Sequence, residues 1–170
     1  MTEIQNTPAT SPLSAGDPAP DFTLESDAGE AVTLSALLAD LRGRGMKGII
    51  LYFYPKDSTS GCTAEAQAFR DSLADFKRLG WTVSGVSRDS VKSHCNFREK
   101  QSLNFPLLSD REERACRLYD VLKEKTMYGR KCFGVERSTF VIGADGVILH
   151  ALRGVKAKTH VAELLELLSA

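Results

Sequence analysis

The sequence lacks long apolar runs, a net charge and closely spaced cysteines. No apolar segment approaches the ~20 residues of a membrane-spanning helix, and residues 1–20 contain neither the basic nor the apolar region of a secretory signal. The 22 basic and 22 acidic residues cancel, so charge gives no reason to expect nucleic acid or a membrane surface as a partner. We therefore expect a cytoplasmic protein.

The chain also lacks the residue spacings of metal and cofactor sites. Its three histidines lie on separate segments, and its glycines match no phosphate-binding loop. The four cysteines form neither a CxxC pair nor a metal-ligand spacing; they are Cys62, Cys95, Cys116 and Cys132. We therefore predict no metal and no cofactor. Because cytosolic thiols are kept reduced, any disulfide here is expected to be transient and catalytic.

One stretch combines a strand, a turn and a helix start around a cysteine. Gly48–Tyr54 is a continuous apolar run that predicts a buried strand, and Pro55 ends it. A hydroxyl-rich turn follows, and apolar residues then recur at helical spacing, which places Cys62 in the first helical turn. Unpaired N–H groups and the helix dipole favour a thiolate there. Since a position between a hydroxyl-rich turn and a first helical turn is hard to bury, we interpret Cys62 as a reactive thiol rather than a packed apolar residue.

The elements after this stretch alternate between strand and helix. A strand at Trp81–Val86 and a helix from Asp89 or Ser90 to about Ser102 give the order typical of parallel strands joined by crossovers. Gly143–Gly146 predicts a hairpin between Arg137–Ile142 and Val147–Ala151. The other predicted elements are a hairpin of Phe22–Leu24 with Val32–Leu34, helices at Ser35–Leu41, Glu112–Leu122 and Thr159–Leu168, and an extended segment at Phe105–Leu108.

This order of elements predicts an α/β fold of the thioredoxin type. A central mixed sheet would be flanked by helices and extended by the N-terminal hairpin. Residues 1–15 are rich in Thr, Pro, Ser and Ala without apolar periodicity, which predicts a mobile tail. Residues 16–170 would form one domain, and a chain of this length can bury about 70% of its unfolded surface.

Four stretches carry a resemblance to a known family. Pro55, Thr59 and Cys62 have the spacing PxxxTxxC, at which the chain resembles the peroxiredoxins. Further stretches resemble the Q subfamily, the bacterioferritin comigratory protein type; with the cysteine stretch they read FYPKDSTSGCT, GVSRDSVKSH, NFPLLSD and MYGRKCFGVERSTFVI. The resemblance covers residues 16–168. It implies a thioredoxin-like fold and an antioxidant enzyme that reduces hydrogen peroxide or small organic hydroperoxides with a thiol.

The resemblance also implies roles for five residues. Cys62 would be the peroxidatic cysteine, whose thiolate attacks the O–O bond and becomes sulfenic acid. Thr59 would hydrogen bond the peroxide, and the Arg137 guanidinium would bind its oxygens and favour the thiolate. Pro55 would shield the sulfur from water, and Glu65 would hold the arginine. Simpler interpretations remain open: Thr59 as a helix cap only, and Arg137 and Glu65 as solvated charges.

A second thiol must resolve the sulfenic acid, and here the sequence departs from many Q-type relatives. They carry a cysteine five residues after the first, where this chain has Gln67. Other relatives resolve with a cysteine on the next helix, where this chain has Cys95. In one related pattern that cysteine matches Arg98, one helical turn later, so Cys95 would face much the same side of the helix. We expect Cys95 to resolve, with Cys132 in a predicted loop or an external thiol as alternatives. Packing of Cys95 beside Val91 is the simpler interpretation.

Resolution by Cys95 implies movement and a reductant. A disulfide needs Cα atoms within about 7 Å, so we expect both helices to unwind locally. A thioredoxin-type protein would then reduce the bond. We expect a monomer, and Cys116 is predicted to be core packing.

Two other functions are compatible with a reactive cysteine. A disulfide oxidoreductase needs a second thiol one turn away, and Ala64–Ala66 offers none. A redox sensor or chaperone-like binding protein would use Cys62 only as a switch, without peroxide turnover.

Overall fold

The computed structural model describes residues 13–170, apart from the side chain of Met127. The predicted mobile tail comprises residues 1–15, of which residues 1–12 lie outside the described residues. The division of the chain at residue 16 stays a prediction. Leu13 packs against the core, and the Gly16 N–H donates to the Ile148 carbonyl. The first described residues are therefore bound to the rest of the fold.

Nine strands and five helices make up the described part of the chain. The strands are β1 (Thr23–Ser26), β2 (Ala31–Thr33), β3 (Gly48–Phe53), β4 (Trp81–Ser87), β5 (Leu107–Ser109), β6 (Leu122–Met127), β7 (Arg130–Val135), β8 (Ser138–Gly143) and β9 (Ile148–Arg153). The helices are α1 (Leu34–Gly43), α2 (Ser60–Arg78), α3 (Val91–Gln101), α4 (Arg114–Leu118) and α5 (His160–Ser169). Within residues 13–170 no helix combines the length and apolar character that a bilayer crossing requires.

Seven of the strands form one mixed sheet. Its order is β2-β1-β5-β4-β3-β8-β9. The neighbouring strands β3, β4 and β5 are parallel, and the flanking pairs are antiparallel. The two remaining strands, β6 and β7, pair with each other in a separate hairpin. The predicted central mixed sheet flanked by helices is confirmed.

The central strand β3 explains why the apolar run around it is continuous. All six of its residues are buried, because helices cover both faces of the sheet. Alternate side chains such as Leu51 and Phe53 pack with the buried residues of α1 and α4. The opposite side chains, including Tyr52, pack with α2, α3 and α5. This second layer contains the helix that carries Cys62.

Most predicted elements lie within two residues of the observed bounds, but two predictions are wrong. The helix predicted at Glu112–Leu122 is only the short α4. Asp120 adopts a left-handed conformation with φ 53°, which ends helical geometry, and Leu118 is exposed instead of lying on an apolar stripe. The chain then enters β6 at Leu122.

The second wrong prediction is the loop around Cys132. This cysteine lies on β7, opposite Lys125 of β6. Tyr128 and Gly129 between these strands both have positive φ, at 54° and 77°, the combination that a tight two-residue hairpin turn requires. In the sequence, the glycine at position 129 is the feature that indicates this turn.

Candidate active site

Cys62 lies in the first turn of α2, as the sequence predicts. Thr59 occupies the N-cap position in extended conformation and α2 begins at Ser60. The Cys62 side chain is 1% exposed, so the expectation that this position is hard to bury is wrong. Aromatic side chains from β3 and α2, including Tyr52 and Phe69, pack in the same cluster and bury the sulfur.

Arg137 reaches this buried sulfur from a distant part of the chain. Because β3 pairs with β8, Phe53 lies opposite Ser138, and Arg137 immediately precedes that residue. Its Nη2 lies 3.4 Å from Cys62 Sγ, and its Nη1 donates to Glu65 Oε1 at 2.6 Å. The three side chains that the sequence proposed as thiol, cation and supporting carboxylate are thus in contact.

Gly61 provides room for this guanidinium. A Cβ atom at position 61 would lie 3.2 Å from Arg137 Nη2, closer than comfortable van der Waals contact. The sequence analysis did not single out this glycine, although it directly precedes the cysteine. A side chain there would displace either Arg137 or the first turn of α2.

The charges of Arg137 and Glu65 depend on each other. Burial acts to lower the pKa of Arg137, but attraction from Glu65 and the Cys62 sulfur outweighs it and raises the pKa. Glu65 is fully buried. Burial raises its pKa from 4.5 to about 7, although the guanidinium acts in the opposite direction. Arg137 is therefore a fixed cation, whereas Glu65 can exchange a proton near neutral pH.

The other two predicted members of the site lie on the loop before α2. The Thr59 hydroxyl is exposed and donates to the Lys56 carbonyl at 2.9 Å, so it neither caps the helix nor bonds the sulfur in this arrangement. Pro55 follows the buried end of β3 and is half-buried. Both residues line the loop through which solvent reaches the start of α2.

The remaining three cysteines differ in their environment. All four cysteines are free thiols. Cys95 is exposed on α3, so the interpretation that it packs beside Val91 is wrong, and Cys132 is exposed on β7. Cys116 is buried, as predicted; burial and a hydrogen bond with Asp110 raise its pKa. Cys95 and Cys132 are thus the thiols within residues 13–170 that other groups can reach.

The sequence analysis missed a buried polar cluster beside the Cys62 loop. Ligand-type atoms of Asp57, Asp89 and His94 lie within 4.8 Å of one another. Each of these residues already forms hydrogen bonds within the protein, which favours a hydrogen-bonded network over a metal site. Asp89 and His94 belong to one stretch and Asp57 to another, 32 residues earlier, so no metal-ligand spacing in the sequence indicates that they meet.

Comparison with known sequences places this arrangement in a family. The AhpC/TSA family profile matches residues 15–151. A putative peroxiredoxin bcp from Coxiella burnetii is 45% identical over 153 residues, covering 90% of this chain and 97% of the relative. Peroxiredoxin Bcp of Bacillus subtilis is 46% identical over 156 residues, covering 92% of this chain and 95% of the relative.

Solved structures give the same result. A mutant of Xylella fastidiosa peroxiredoxin Q matches with a TM-score of 0.83 and 41% identity over 94% of this chain and 97% of the other. The Xanthomonas campestris bacterioferritin comigratory protein, whose structures describe alkyl peroxide reduction, matches with a TM-score of 0.78 and 43% identity over 87% of this chain and 90% of the other. These matches confirm the predicted thioredoxin-like fold and subfamily. The chain belongs to the AhpC/TSA family, as a peroxiredoxin of the Bcp or Q type.

Proposed function

We propose that this thiol peroxidase reduces hydrogen peroxide and small organic hydroperoxides with Cys62 as its peroxidatic residue. The observation that carries the proposal is the 3.4 Å contact between Arg137 Nη2 and the buried Cys62 sulfur. Burial alone would leave a thiol inert, but a permanent cation and the N-terminal helix turn both favour the thiolate. The relatives' names and the alkyl peroxide reduction described for the Xanthomonas protein support the same activity.

The reaction transfers one oxygen atom to sulfur. The Cys62 thiolate attacks one peroxide oxygen, the S–O bond forms and the O–O bond breaks. The departing oxygen takes the electron pair and a proton and leaves as water or an alcohol, while Cys62 becomes sulfenic acid. Negative charge develops on the departing oxygen, so fixed donors close to it lower the barrier.

Four side chains would supply this environment. The guanidinium of Arg137 offers several N–H donors and cannot lose its proton at neutral pH. The Thr59 hydroxyl is exposed and would exchange its bond to the Lys56 carbonyl for one to the entering peroxide. Pro55 would limit access of water to the sulfur. Glu65 would orient Arg137 through the 2.6 Å ion pair.

Resolution of the sulfenic acid would use the exposed thiol of Cys95 on α3. The sulfur of Cys95 would attack the Cys62 sulfenic sulfur, so that an S–S bond forms, the S–O bond breaks and water leaves. Cys62 is buried and Cys95 is exposed, so both segments would have to move first. A thioredoxin-type dithiol would then reduce the disulfide. Cys132 or an external thiol is the alternative to Cys95 as the resolving group.

We further propose that the protein acts as a monomer in the cytoplasm.

Cys62→Ser should abolish peroxide consumption, because a serine hydroxyl does not ionise at neutral pH. The measurement is the loss of hydrogen peroxide with dithiothreitol as reductant. Cys116→Ala is the matched control: it removes a thiol that is also buried but has a raised pKa, and it should keep activity within about twofold. Normal turnover by Cys62→Ser would remove Cys62 from the reaction.

Cys95→Ser should stop turnover with thioredoxin and accumulate Cys62 sulfenic acid, because no internal thiol completes the disulfide. After one equivalent of peroxide, mass spectrometry of peptides prepared without reductant should show a Cys62–Cys95 link in the wild type and none in Cys95→Ser. Cys132→Ser is the control and should retain both the link and turnover. If Cys95→Ser turns over fully, resolution belongs to Cys132 or to an external thiol.

Glu65→Gln should change how stability depends on pH. Because the folded state raises the pKa of Glu65 from 4.5 to about 7, the folded wild type binds more protons than the unfolded chain in that window. Its free energy of unfolding should therefore fall as pH rises from 5 to 8, by about 2 kcal/mol relative to Glu65→Gln.

Urea unfolding of both proteins at pH 5 and pH 8 measures this difference. The control is Glu163→Gln, which removes an exposed carboxyl of α5. Its free energy of unfolding should change between pH 5 and pH 8 by the same amount as that of the wild type. An equal stability difference between wild type and Glu65→Gln at pH 5 and pH 8 would contradict the raised pKa.

A further inference from the structure

A buried polar network connects the loop before Cys62 with the helix that carries Cys95. We call it the Asp57 cluster; its members are Tyr54, Asp57, Asp89, Ser93 and His94. Asp57 is 6% exposed and His94 is 0% exposed. Groups of this kind are rarely buried unless every polar atom has a partner.

Asp57 uses both carboxylate oxygens and its backbone N–H in this network. Oδ1 accepts from the Tyr54 hydroxyl at 2.6 Å, and Oδ2 accepts from the Ser93 hydroxyl at 2.8 Å. The Asp57 N–H donates to Asp89 Oδ2 at 2.9 Å. The carboxylate therefore fixes the loop to the end of β3 and to the first turns of α3, and the N–H fixes it to the segment after β4.

His94 completes the network from the α3 side. Its Nδ1 lies 2.7 Å from Asp57 Oδ2, within hydrogen-bond distance. Its Nε2 lies 3.0 Å from the Leu108 carbonyl of β5, which can only accept a hydrogen bond. A hydrogen bond between a carboxylate and an imidazole is among the stronger kinds in proteins, and burial strengthens it further. The ring thus joins the Cys62 loop to a strand of the central sheet.

The loop needs such an anchor. Ser58, directly after Asp57, has φ 65°, a left-handed conformation that is unfavourable for a residue other than glycine. Thr59 follows at the N-cap without a side-chain bond to the helix. The left-handed conformation of Ser58 therefore opposes the observed loop, and the side chain of Asp57 binds this loop to neighbouring elements.

Cys95 directly follows His94, so one contact restrains both thiol-bearing segments. We propose that the Asp57 cluster couples the Cys62 loop to the start of α3 and sets how readily the two segments open together. This inference rests on the proposed resolution of Cys62 sulfenic acid by Cys95. Opening breaks the Asp57–His94 bond and lets the Cys95 sulfur attack the Cys62 sulfur, with S–S formation and departure of water. Asp57 and His94 are positioning residues that do not contact the peroxide.

Hydrogen exchange of backbone amides tests the coupling without requiring catalysis. In the reduced protein, His94→Gln should raise exchange about tenfold in residues 55–63 as well as in residues 91–96, because one charge-assisted bond is lost. Ser93→Ala removes a single hydrogen bond to Asp57, is expected to fold, and should raise exchange in both segments about threefold.

Arg98→Met is the matched control on the same helix. It removes the 2.8 Å ion pair with Asp27, which fixes the last turns of α3 to the hairpin before α1. Exchange should rise near residues 97–103 and stay unchanged in residues 55–63. The amides of β8 serve as a reference for global unfolding and should not change in any of the three variants.

Quenched-flow measurement of the Cys62–Cys95 disulfide after one equivalent of peroxide gives the functional readout. His94→Gln should form it about tenfold faster than the wild type, and Arg98→Met at the wild-type rate. The proposal is overturned if exchange in residues 55–63 does not respond to His94→Gln and Ser93→Ala, or if β8 responds equally. Absence of this disulfide in the wild type would instead refute the proposed resolving role of Cys95, while the exchange result would still decide the coupling.

Discussion

A guanidinium held against a buried sulfur is the interaction on which the site depends. Burial of the Glu65 carboxylate alone would cost several kcal/mol, and the 2.6 Å ion pair with Arg137 offsets part of that cost. The same cation lies 3.4 Å from Cys62, in surroundings from which water is excluded, so its field on the sulfur is weakly screened. Without Arg137, burial would favour the neutral form of Glu65 still more strongly. The site thus combines a dry environment for the peroxide with a permanent positive charge.

The fold brings these groups together through one strand pair. Arg137 and Cys62 are 75 residues apart along the chain. Antiparallel pairing of β3 with β8 places Ser138 opposite Phe53, so Arg137 lies at the end of β3 where the loop to Cys62 begins. Gly61 leaves space for the guanidinium between strand and helix. On the other side of this loop, the Asp57 cluster fixes the same backbone to α3. Contacts from elements distant in sequence therefore hold both Cys62 and the loop before it.

The sequence predicted those features that depend on local patterns. Apolar patterning predicted the strands of the seven-stranded sheet and most helices, but not the β6–β7 hairpin. A spaced motif identified Cys62 with its neighbours. Burial of Cys62 could not be predicted, because it results from aromatic side chains of β3 and α2 that pack together only in the folded protein. The pairing of Asp57 with His94, 37 residues apart, has no sequence periodicity either. The early end of α4 depends on the left-handed conformation of Asp120. An aspartate can adopt this conformation, but its presence in a sequence does not predict it.

The central claim is that the Arg137 guanidinium activates Cys62, and the rate constant of a single oxidation tests it most directly. Reduced wild type, Arg137→Met and Arg153→Met would each be mixed with one equivalent of hydrogen peroxide and the loss of free Cys62 thiol followed in time. Arg153 is the matched control, an arginine of the neighbouring strand β9 that lies over Phe140. The account predicts a fall of about 100-fold or more for Arg137→Met, as for loss of one charge-stabilising donor, and a change within about threefold for Arg153→Met. Oxidation of Arg137→Met at the wild-type rate would contradict it.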